Sequence, residues 1–430
     1  MTAEAESMSD ERVKSLYESL YASAKRHPKR RFGILMDKVL RWDVLWEAWK
    51  RVRANGGTCG VDHQSIQDVE AAGVLPFLQD LKDEVEAGRY TAGLIRRVRI
   101  PKGDGRTRPL GIPVVRDRVL QMAVKLVLEP LFDCCFCECS YGYRPGRSVQ
   151  QAAQRVHELS NRRKWIVDMD LSSYFDTIPH EPLMDLVRRR VSDKRVLHLI
   201  VSWLRAGVLE KGSITCPIEG SPQGGVLSPL LSNIYLHEFD RTWDTACGEL
   251  VRYADDMVIL CFSEWEAQRA LAMARQRLET LGLTLNREKT RLVHIAEGFE
   301  FLGFRYMEAY SPRCKRLVRI KIPRPKAMKK IRASIKERLK KQTLGLPLRE
   351  VIADVNRALR GWAQYFRIGN SYAAALSLSR YACDQLRLYW RRSRPRRRGS
   401  CTRVWPNSFF YDLGLHYVPS LLRRTTNAVV

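Results

Sequence analysis

Two hydrophobic patterns divide the chain. Apolar residues recur at helical spacing up to residue 132 and again beyond residue 326, whereas residues 165–310 mix that spacing with the alternation typical of strands. The helical spacing predicts helices over 12–53, 65–88 and 113–132. The predicted fold class is therefore α+β, in which a mixed part of the chain is followed by a helical part.

Strands are predicted where apolar and polar residues alternate over short segments. Arg96–Ile100 has this alternation, and a glycine-containing turn follows it. Trp165–Leu171 alternates as well, with Asp168 and Asp170 on one face. In Leu250–Leu260 two apolar runs flank an Ala-Asp-Asp turn, which indicates a hairpin.

The segment 311–325 carries prolines and basic residues and is predicted to be a linker. Beyond it, the apolar residues of Met328–Leu339 and Ile352–Phe366 recur at helical spacing, with basic residues between them. Arg313–Lys341 holds fourteen Lys or Arg and a single acid, Glu337. Such a surface is expected to bind a polyanion strongly and to lose affinity as salt rises, the alternative being a solvated charged face.

Composition supports a polyanionic partner. The chain has 430 residues, 45% of them hydrophobic, and a formal net charge of +27. RNA, DNA or an acidic membrane surface would match that charge. No apolar stretch of about 18 residues or more is present, which argues against a membrane-spanning segment. The first residues have neither an apolar secretory core nor the composition of a transit peptide, which indicates a cytosolic protein or a nuclear one. The bacterial cytoplasm is the expected location.

The chain has eleven cysteines, and four of them cluster between Cys134 and Cys139. Reduced structural thiols are the expected state. Zinc binding by the cluster stays open, since Cys134 and Cys137 are separated by two residues, but no second pair of ligands follows at finger-like spacing.

Carboxylates supply the candidate chemistry. Adjacent acids between apolar strands, such as Asp255 and Asp256, are costly unless a cation neutralises them. Mg²⁺ prefers hard oxygen ligands, and two such ions about 4 Å apart stabilise the attacking and leaving oxygens of a phosphoryl transfer. An Asp-rich hairpin turn without function is the alternative for this pair taken alone.

Two motifs resemble those of reverse transcriptases. Tyr253-Ala254-Asp255-Asp256 resembles their Tyr-x-Asp-Asp box, and Asp170–Phe175 resembles their first palm motif. The resemblance implies a right-hand polymerase, in which fingers and palm precede a helical thumb. It also implies that Asp170, Asp255 and Asp256, together with Leu171, hold two Mg²⁺ ions for which Mn²⁺ can substitute. Phe175 would select dNTPs by excluding a ribose 2′-hydroxyl, and Asp168 and Asp176 are expected to be structural.

Further motifs follow in the order of that family. Gly220–Gly225 precedes an apolar helix and resembles the loop that contacts the incoming nucleotide, which indicates Gln223 and Gly224. The basic hairpin near residue 100 resembles the fingertips, where Lys102 and Arg108 would bind the triphosphate. Lys289 matches a later palm lysine and is a candidate general acid. The segment that resembles the primer grip is Phe301, Leu302 and Gly303.

Two segments resemble features of group II intron enzymes in particular. Asn55–Asp62 is similar to their N-terminal extension motif, and Leu359–Phe366 is similar to the signature of their maturase domain. The implied divisions are 1–64 as N-terminal extension, 65–310 as fingers and palm, 311–395 as thumb and maturase domain, and 396–430 as a short basic segment with DNA binding as a candidate role. No His- and Cys-rich nuclease segment follows in this sequence.

The resemblance also names partners. It implies intron RNA, an RNA template with a DNA primer, dNTPs and a target DNA, and it leaves a homodimer open. The residues expected to contact RNA are Lys326, Lys329, Lys330, Arg360, Trp362 and Tyr365. Two alternatives remain: a free-standing relative with the same chemistry, and an RNA-binding splicing factor with an inactive polymerase. The complete set of Asp170, Gln223, Asp255 and Asp256 argues against the second.

Overall fold

The computed structural model describes residues 3–101, 107–215, 219–220, 224–312, 314–340, 345–393 and 404–423. The strands are β1 (Ile95–Pro101), β2 (Thr107–Ile112), β3 (Trp165–Met169), β4 (Val208–Glu210), β5 (Ser213–Thr215), β6 (Glu249–Tyr253), β7 (Asp256–Cys261), β8 (Arg291–His294), β9 (Phe299–Phe301), β10 (Phe304–Ser311) and β11 (Arg316–Pro323). The helices are α1 (Ala3–Arg26), α2 (Met36–Val39), α3 (Trp42–Asn55), α4 (Ile66–Ala72), α5 (Val74–Glu86), α6 (Val115–Asp133), α7 (Val149–Ser160), α8 (His180–Arg188), α9 (Lys194–Leu204), α10 (Ser228–Thr242), α11 (Glu264–Thr280), α12 (Pro325–Arg338), α13 (Leu348–Phe366), α14 (Tyr372–Ser393), α15 (Asn407–Asp412) and α16 (Val418–Leu421). The predicted α+β class is confirmed.

The N-terminal helices surround α6, which is buried on nearly all sides and confirms the helix predicted over 113–132. The single helix predicted over 12–53 is wrong: three helices form, because Pro28 and a basic run interrupt the pattern. The helix predicted over 65–88 is likewise two helices. Gly73 separates them with φ of +104°, a backbone conformation that favours glycine.

A four-stranded sheet carries the carboxylates predicted to be catalytic. Its strand order is β6-β7-β3-β8, and all neighbours are antiparallel. Helix α11 packs against β3 and β7, and α7 packs against β6 and β7. The hairpin predicted over 250–260 is confirmed as β6 and β7. A second sheet, ordered β2-β1-β4-β5, stands beside it and contains the strand predicted over 96–100.

The linker predicted over 311–325 is wrong. Strand β11 occupies most of it and pairs with β10 over eight residues, from Phe304 opposite Pro323 to Ser311 opposite Arg316. The alternation from Arg319 to Ile322 gives the segment a strand pattern that its proline and arginine content conceals. The second half of the molecule therefore connects to the first through a three-stranded sheet, β11-β10-β9.

Helices α12 to α16 form the second half. The face of α13 that includes Leu359, Trp362 and Phe366 is buried, as its helical spacing predicts. Residues 404–423 pack against α13 and α14, where Phe410 and Val418 are fully buried. The described part of the predicted C-terminal segment is thus integrated into the helical region, and its role in DNA binding stays a prediction. Across the described residues, no helix combines the length and apolarity that crossing a bilayer requires.

Candidate active site

The β6–β7 hairpin turns within two residues, Ala254 and Asp255, because Tyr253 pairs directly with Asp256. Ala254 has φ of +57°, a left-handed conformation that a non-glycine residue adopts only when its surroundings hold it there. Strand β3 pairs with β7 and ends at Met169, so Asp170 lies at the same end of the sheet as the turn. The structure thus brings together the three carboxylates that the motifs indicate.

A cleft of about 990 Å³ opens at this end of the sheet. Asp170 and Asp255 line it, and Asp256 is exposed beside them at the start of β7. Other predicted site residues share the cleft: Arg108, Leu171, Phe175, Gly224, Lys289 and Lys326. Lys102 and Gln223 lie outside the described residues.

The carboxylates repel one another. Desolvation in the concave site and the negative charges of Asp255 and Asp170 raise the pKa of Asp256 to about 7. Desolvation and the charge of Asp170 also raise the pKa of Asp255. Asp168, two residues before Asp170, is half-buried, and its pKa is raised to about 6, mainly by desolvation. A cation bound among these groups would relieve the repulsion.

Lys289 supplies a positive charge at the site. Its Nζ donates to Oδ2 of Asp170 at 2.7 Å. Within the described residues no three His, Cys, Asp or Glu side chains are grouped closely enough to hold a metal ion. The donor set nevertheless fits a hard divalent cation, since the carboxylates of Asp170 and Asp255 line an open cleft. Leu171 is buried and forms an isolated antiparallel β-bridge with Leu285. Because a leucine side chain has no oxygen or nitrogen, only the backbone of Leu171 is available as a ligand.

The walls of the cleft come from different elements. Phe175 lies on a 3-10 turn, Tyr174–Asp176, which Tyr174 anchors by donating its hydroxyl to the carbonyl of Ser232 at 2.8 Å. Gly224, with φ of +114°, approaches strand β2 so closely that a Cβ would lie 2.3 Å from the carbonyl oxygen of Gly111. That approach joins the Gly-rich loop to the basic hairpin that carries Arg108.

A buried polar network holds the Ala254–Asp255 turn from behind, and the motifs did not indicate it. Arg252 is fully buried and forms an ion pair with Asp240 of α10 at 2.5 Å. Its guanidinium also donates to the carbonyl of Ala254 at 3.0 Å, to Asn233 at 2.9 Å and to Ser140 at 2.7 Å. The available signal was an arginine inside the apolar run of β6, where a charge requires a buried partner.

The turn predicted as primer grip joins β9 to β10 and contacts the helical region. Leu302 and Gly303 both have positive φ, and Phe301 is buried. Tyr365 of α13 donates its hydroxyl to the carbonyl of Leu302 at 3.1 Å. This contact fixes α13 against the β9–β10 turn of the three-stranded sheet.

The residues predicted to contact RNA fall into two groups. Lys326, Lys329, Lys330 and Arg360 are exposed, and Tyr365 is half-buried. Trp362 is a correction: its side chain is only 6% exposed and packs on Phe366, with ring centroids 5.2 Å apart. Its place on the apolar face of α13 makes it a core residue rather than a stacking platform.

A second cleft, of about 1320 Å³, lies where α7 faces α13 and α16. It shares no lining residue with the first. Five arginines line it: Arg147, Arg155, Arg360, Arg367 and Arg423. Four glutamines and one acid, Glu158, complete much of its polar surface.

Comparisons with known proteins follow the same division. Residues 100–306 match the family model for reverse transcriptase (RNA-dependent DNA polymerase), and residues 328–405 match that for the group II intron, maturase-specific domain. Protein YkfC of Escherichia coli is 36% identical over 357 residues, which cover 73% of this chain and 93% of YkfC. The chain belongs to the group II intron reverse transcriptase family. Members of this family are RNA-directed DNA polymerases with a maturase domain, and reverse transcriptases use divalent metal ions.

Two further matches cover less of their partners. The group II intron-encoded protein LtrA of Lactococcus lactis is 35% identical over 213 residues, which cover 49% of this chain and 35% of LtrA. The matched region thus spans about a third of the length of LtrA. A partial Cas6-RT-Cas1–Cas2 complex shows 28% identity, a TM-score of 0.37 and coverage of 57% of this chain and 41% of that one, which is too loose an overlap for structural argument.

Proposed function

We propose that this reverse transcriptase adds dNTPs to the 3′-hydroxyl of a DNA primer on an RNA template. Asp170, Asp255 and Asp256 would hold two Mg²⁺ ions, for which Mn²⁺ can substitute. One observation carries the proposal: Asp170, which follows β3, meets Asp255 and Asp256 of the β6–β7 hairpin at a cleft whose other walls bear Arg108, Phe175, Gly224 and Lys289. The assignment of these roles rests on that convergence and on the family motifs.

The protein groups divide the work. Divalent ions, when bound, would neutralise the charge that develops on the attacking and leaving oxygens. Arg108 would grip the triphosphate through paired N–H groups, and Lys102 would assist it. Phe175 would leave no room for a 2′-hydroxyl. Lys289 would hold the proton that the departing pyrophosphate takes up, once Asp170 turns from its ammonium group towards the ions.

Primer extension on an RNA template tests the proposal. Mg²⁺-dependent dNTP incorporation by the wild type is compared with that of Asp255→Asn combined with Asp256→Asn. We expect extension by the wild type and its loss in the double variant. Asp185→Asn, which removes one exposed carboxylate of α8, is the matched control and should extend normally. Absence of extension from folded wild-type protein over a range of salt and templates would sink the polymerase assignment.

A second activity, binding of intron RNA to assist splicing, is supported by the cleft with five arginines. Arginine side chains pair with phosphates, and glutamine amides can contact bases or riboses. The cleft lies between the palm and the helical region, apart from the polymerase cleft, so both could bind RNA together. Return of the intron to a target DNA would combine the two activities. The bacterial sources of YkfC and LtrA support a bacterial cytoplasmic location.

Charge reversal separates the two activities. Arg360→Glu with Arg367→Glu should weaken intron RNA binding and reduce the slope of its logarithmic salt dependence by roughly 1–2, since each lost phosphate contact removes about 0.7–0.9. Extension of a short primer on an unrelated template should persist. Arg269→Glu with Arg275→Glu, two exposed positions of α11, controls for net charge. Equal loss of affinity in both pairs would contradict a specific site in this cleft.

A further inference from the structure

A chemically distinct cluster lies outside both clefts. The segment that joins α6 to Ser140 carries four thiols, at Cys134, Cys135, Cys137 and Cys139. None of them lines the polymerase cleft. The segment folds as successive turns rather than as a strand, so the thiols are not separated onto opposite faces. Among the described residues, no three His, Cys, Asp or Glu side chains lie close enough together to hold a metal ion. This arrangement therefore gives no support to a zinc site.

Cys137 has the surroundings of a reactive thiolate. Its Sγ lies 3.9 Å from Nδ1 of His237 on α10. Cys139 lies two residues further along the same series of turns. The ring of Phe136 meets the imidazole edge-on at 5.5 Å and fixes its position. The hydrogen bonds from Cys139 and His237 and the charge of the imidazole lower the pKa of Cys137 to about 5. The pKa of Cys139 is raised, so this second thiol keeps its proton.

We propose that Cys137 and Cys139 form an oxidisable dithiol whose disulfide slows the polymerase. The Cys137 thiolate attacks a hydroperoxide, whose O–O bond breaks to give a sulfenic acid and an alkoxide or hydroxide that takes up a proton. The Cys139 thiol then attacks the sulfenic sulfur, forms the S–S bond and releases water. Two thiols are thus oxidised by two electrons and one hydroperoxide is reduced.

The backbone of the dithiol touches the support of the Ala254–Asp255 turn. The carbonyl of Cys139 accepts the N–H of Arg252 at 2.8 Å, and the N–H of Tyr141 donates to the carbonyl of Arg252 at 2.9 Å. Arg252 in turn holds the carbonyl of Ala254. Closing a ring between Cys137 and Cys139 would reshape the segment at that contact and displace Arg252. The expected loss of activity rests on the proposed polymerase function. Formation of the disulfide does not depend on it.

Peroxide treatment of the full chain tests the proposal. The protein is exposed to hydrogen peroxide, free thiols are blocked by alkylation, and peptides are mapped by mass while primer extension is measured in parallel. We expect a Cys137–Cys139 disulfide and a fall in extension of about tenfold, since small displacements of catalytic groups have effects of this order. Dithiothreitol should restore both. Cys139→Ser should form no disulfide and keep its activity, and Cys314→Ser, which removes an exposed thiol elsewhere, should respond as the wild type does.

Two outcomes would overturn the proposal. One is Cys137 and Cys139 remaining reduced under peroxide while other thiols react. The other is equal inhibition of wild type and a Cys137→Ser, Cys139→Ser double variant. Failure of the polymerase proposal itself is distinguishable, because the disulfide is mapped without any activity measurement.

A second measurement does not depend on oxidation. The rate of alkylation of Cys137 should change little between pH 6 and 8, whereas that of a reference peptide thiol should rise on the order of fiftyfold as its thiolate forms. His237→Phe keeps the ring beside Phe136 but removes the imidazole, and should make the rate at Cys137 rise with pH. A profile for the wild type that follows the reference peptide would contradict a stabilised thiolate.

Discussion

Phe175 is the residue expected to select the sugar of the incoming nucleotide. Its ring is held by an edge-on contact with Tyr174 at 5.4 Å, and the 3-10 turn points it into the cleft. Phe175→Ala should therefore admit nucleotides with a 2′-hydroxyl. We expect the preference for dNTPs over NTPs to fall by about 10- to 100-fold, the range that steric fit in a pocket provides. Single-nucleotide extension with each substrate measures it, and an unchanged preference would remove Phe175 from this role.

Variants of Arg252 can distinguish its effect on the position of the Ala254 turn from its effect on the stability of the fold. Arg252→Met leaves Asp240 buried without its partner and should reduce the free energy of unfolding by about 3–5 kcal/mol. Adding Asp240→Leu removes the stranded charge and should recover most of that loss. Extension by the double variant should stay slow, because the carbonyl of Ala254 still lacks its donor. Denaturant unfolding measures the stability of both variants, and primer extension measures their activity. If the double variant recovers both the stability and the extension rate, Arg252 has only a structural role.

Single residues also show where sequence reasoning succeeded and failed. The position of Asp255 and Asp256 at a hairpin turn could be predicted because two apolar runs flank the pair. Trp362 was misplaced, although its spacing with Leu359 and Phe366 already assigned it to a buried helical face. Arg252 could not be found from a motif, since its role depends on Asp240 of α10, which reaches it only in the folded chain.

Strands and helices were predictable where a single period dominated. Helix α6 and the β6–β7 hairpin are such cases. Strand β11 is hard to predict because its basic residues and prolines conceal the alternation. The pairing of β11 with β10 also buries Lys321, only 2% exposed, whose Nζ donates to Gln154 of α7 at 2.5 Å. The local sequence pattern does not predict the burial of Lys321, because that burial depends on the packing of α7 against β11.

Lys321 gives β11 a stability that depends on pH. Burial lowers the pKa of Lys321 to about 8, whereas a lysine in the unfolded chain keeps a pKa near 10.4. The protonated side chain therefore opposes folding below pH 8, and this cost disappears as pH rises towards the unfolded value. Lys321→Met should raise the free energy of unfolding at pH 7 by roughly 1–3 kcal/mol.

The advantage of Lys321→Met should shrink between pH 8 and pH 10, which denaturant unfolding at several pH values would measure. Lys329→Met, at an exposed position of α12, is the matched control and should stay within about 0.5 kcal/mol of the wild type. An advantage that does not vary with pH would show that packing, rather than the charge, explains the effect.

At the scale of the whole molecule, one hydrophobic cluster contains residues of both family matches. Ile166, Val251 and Val258 of the palm sheet belong to the same buried cluster as Leu359 and Phe366 of α13. Sequence comparison divides the chain between residues 306 and 328, but the β9-β10-β11 sheet and this cluster cross that division. The fold is therefore less separable than the order of its motifs implies.

The shared core predicts the behaviour of fragments. A fragment of residues 314–430 would expose the apolar faces of α12 and α13 that the palm covers, so we expect it to lack a cooperative unfolding transition. Mixing it with a fragment of residues 1–310 should restore one, since the same surfaces are available for burial. Circular dichroism during denaturation would measure both, with the intact chain as control. An independent transition in the isolated C-terminal fragment would show that the maturase region has a core of its own.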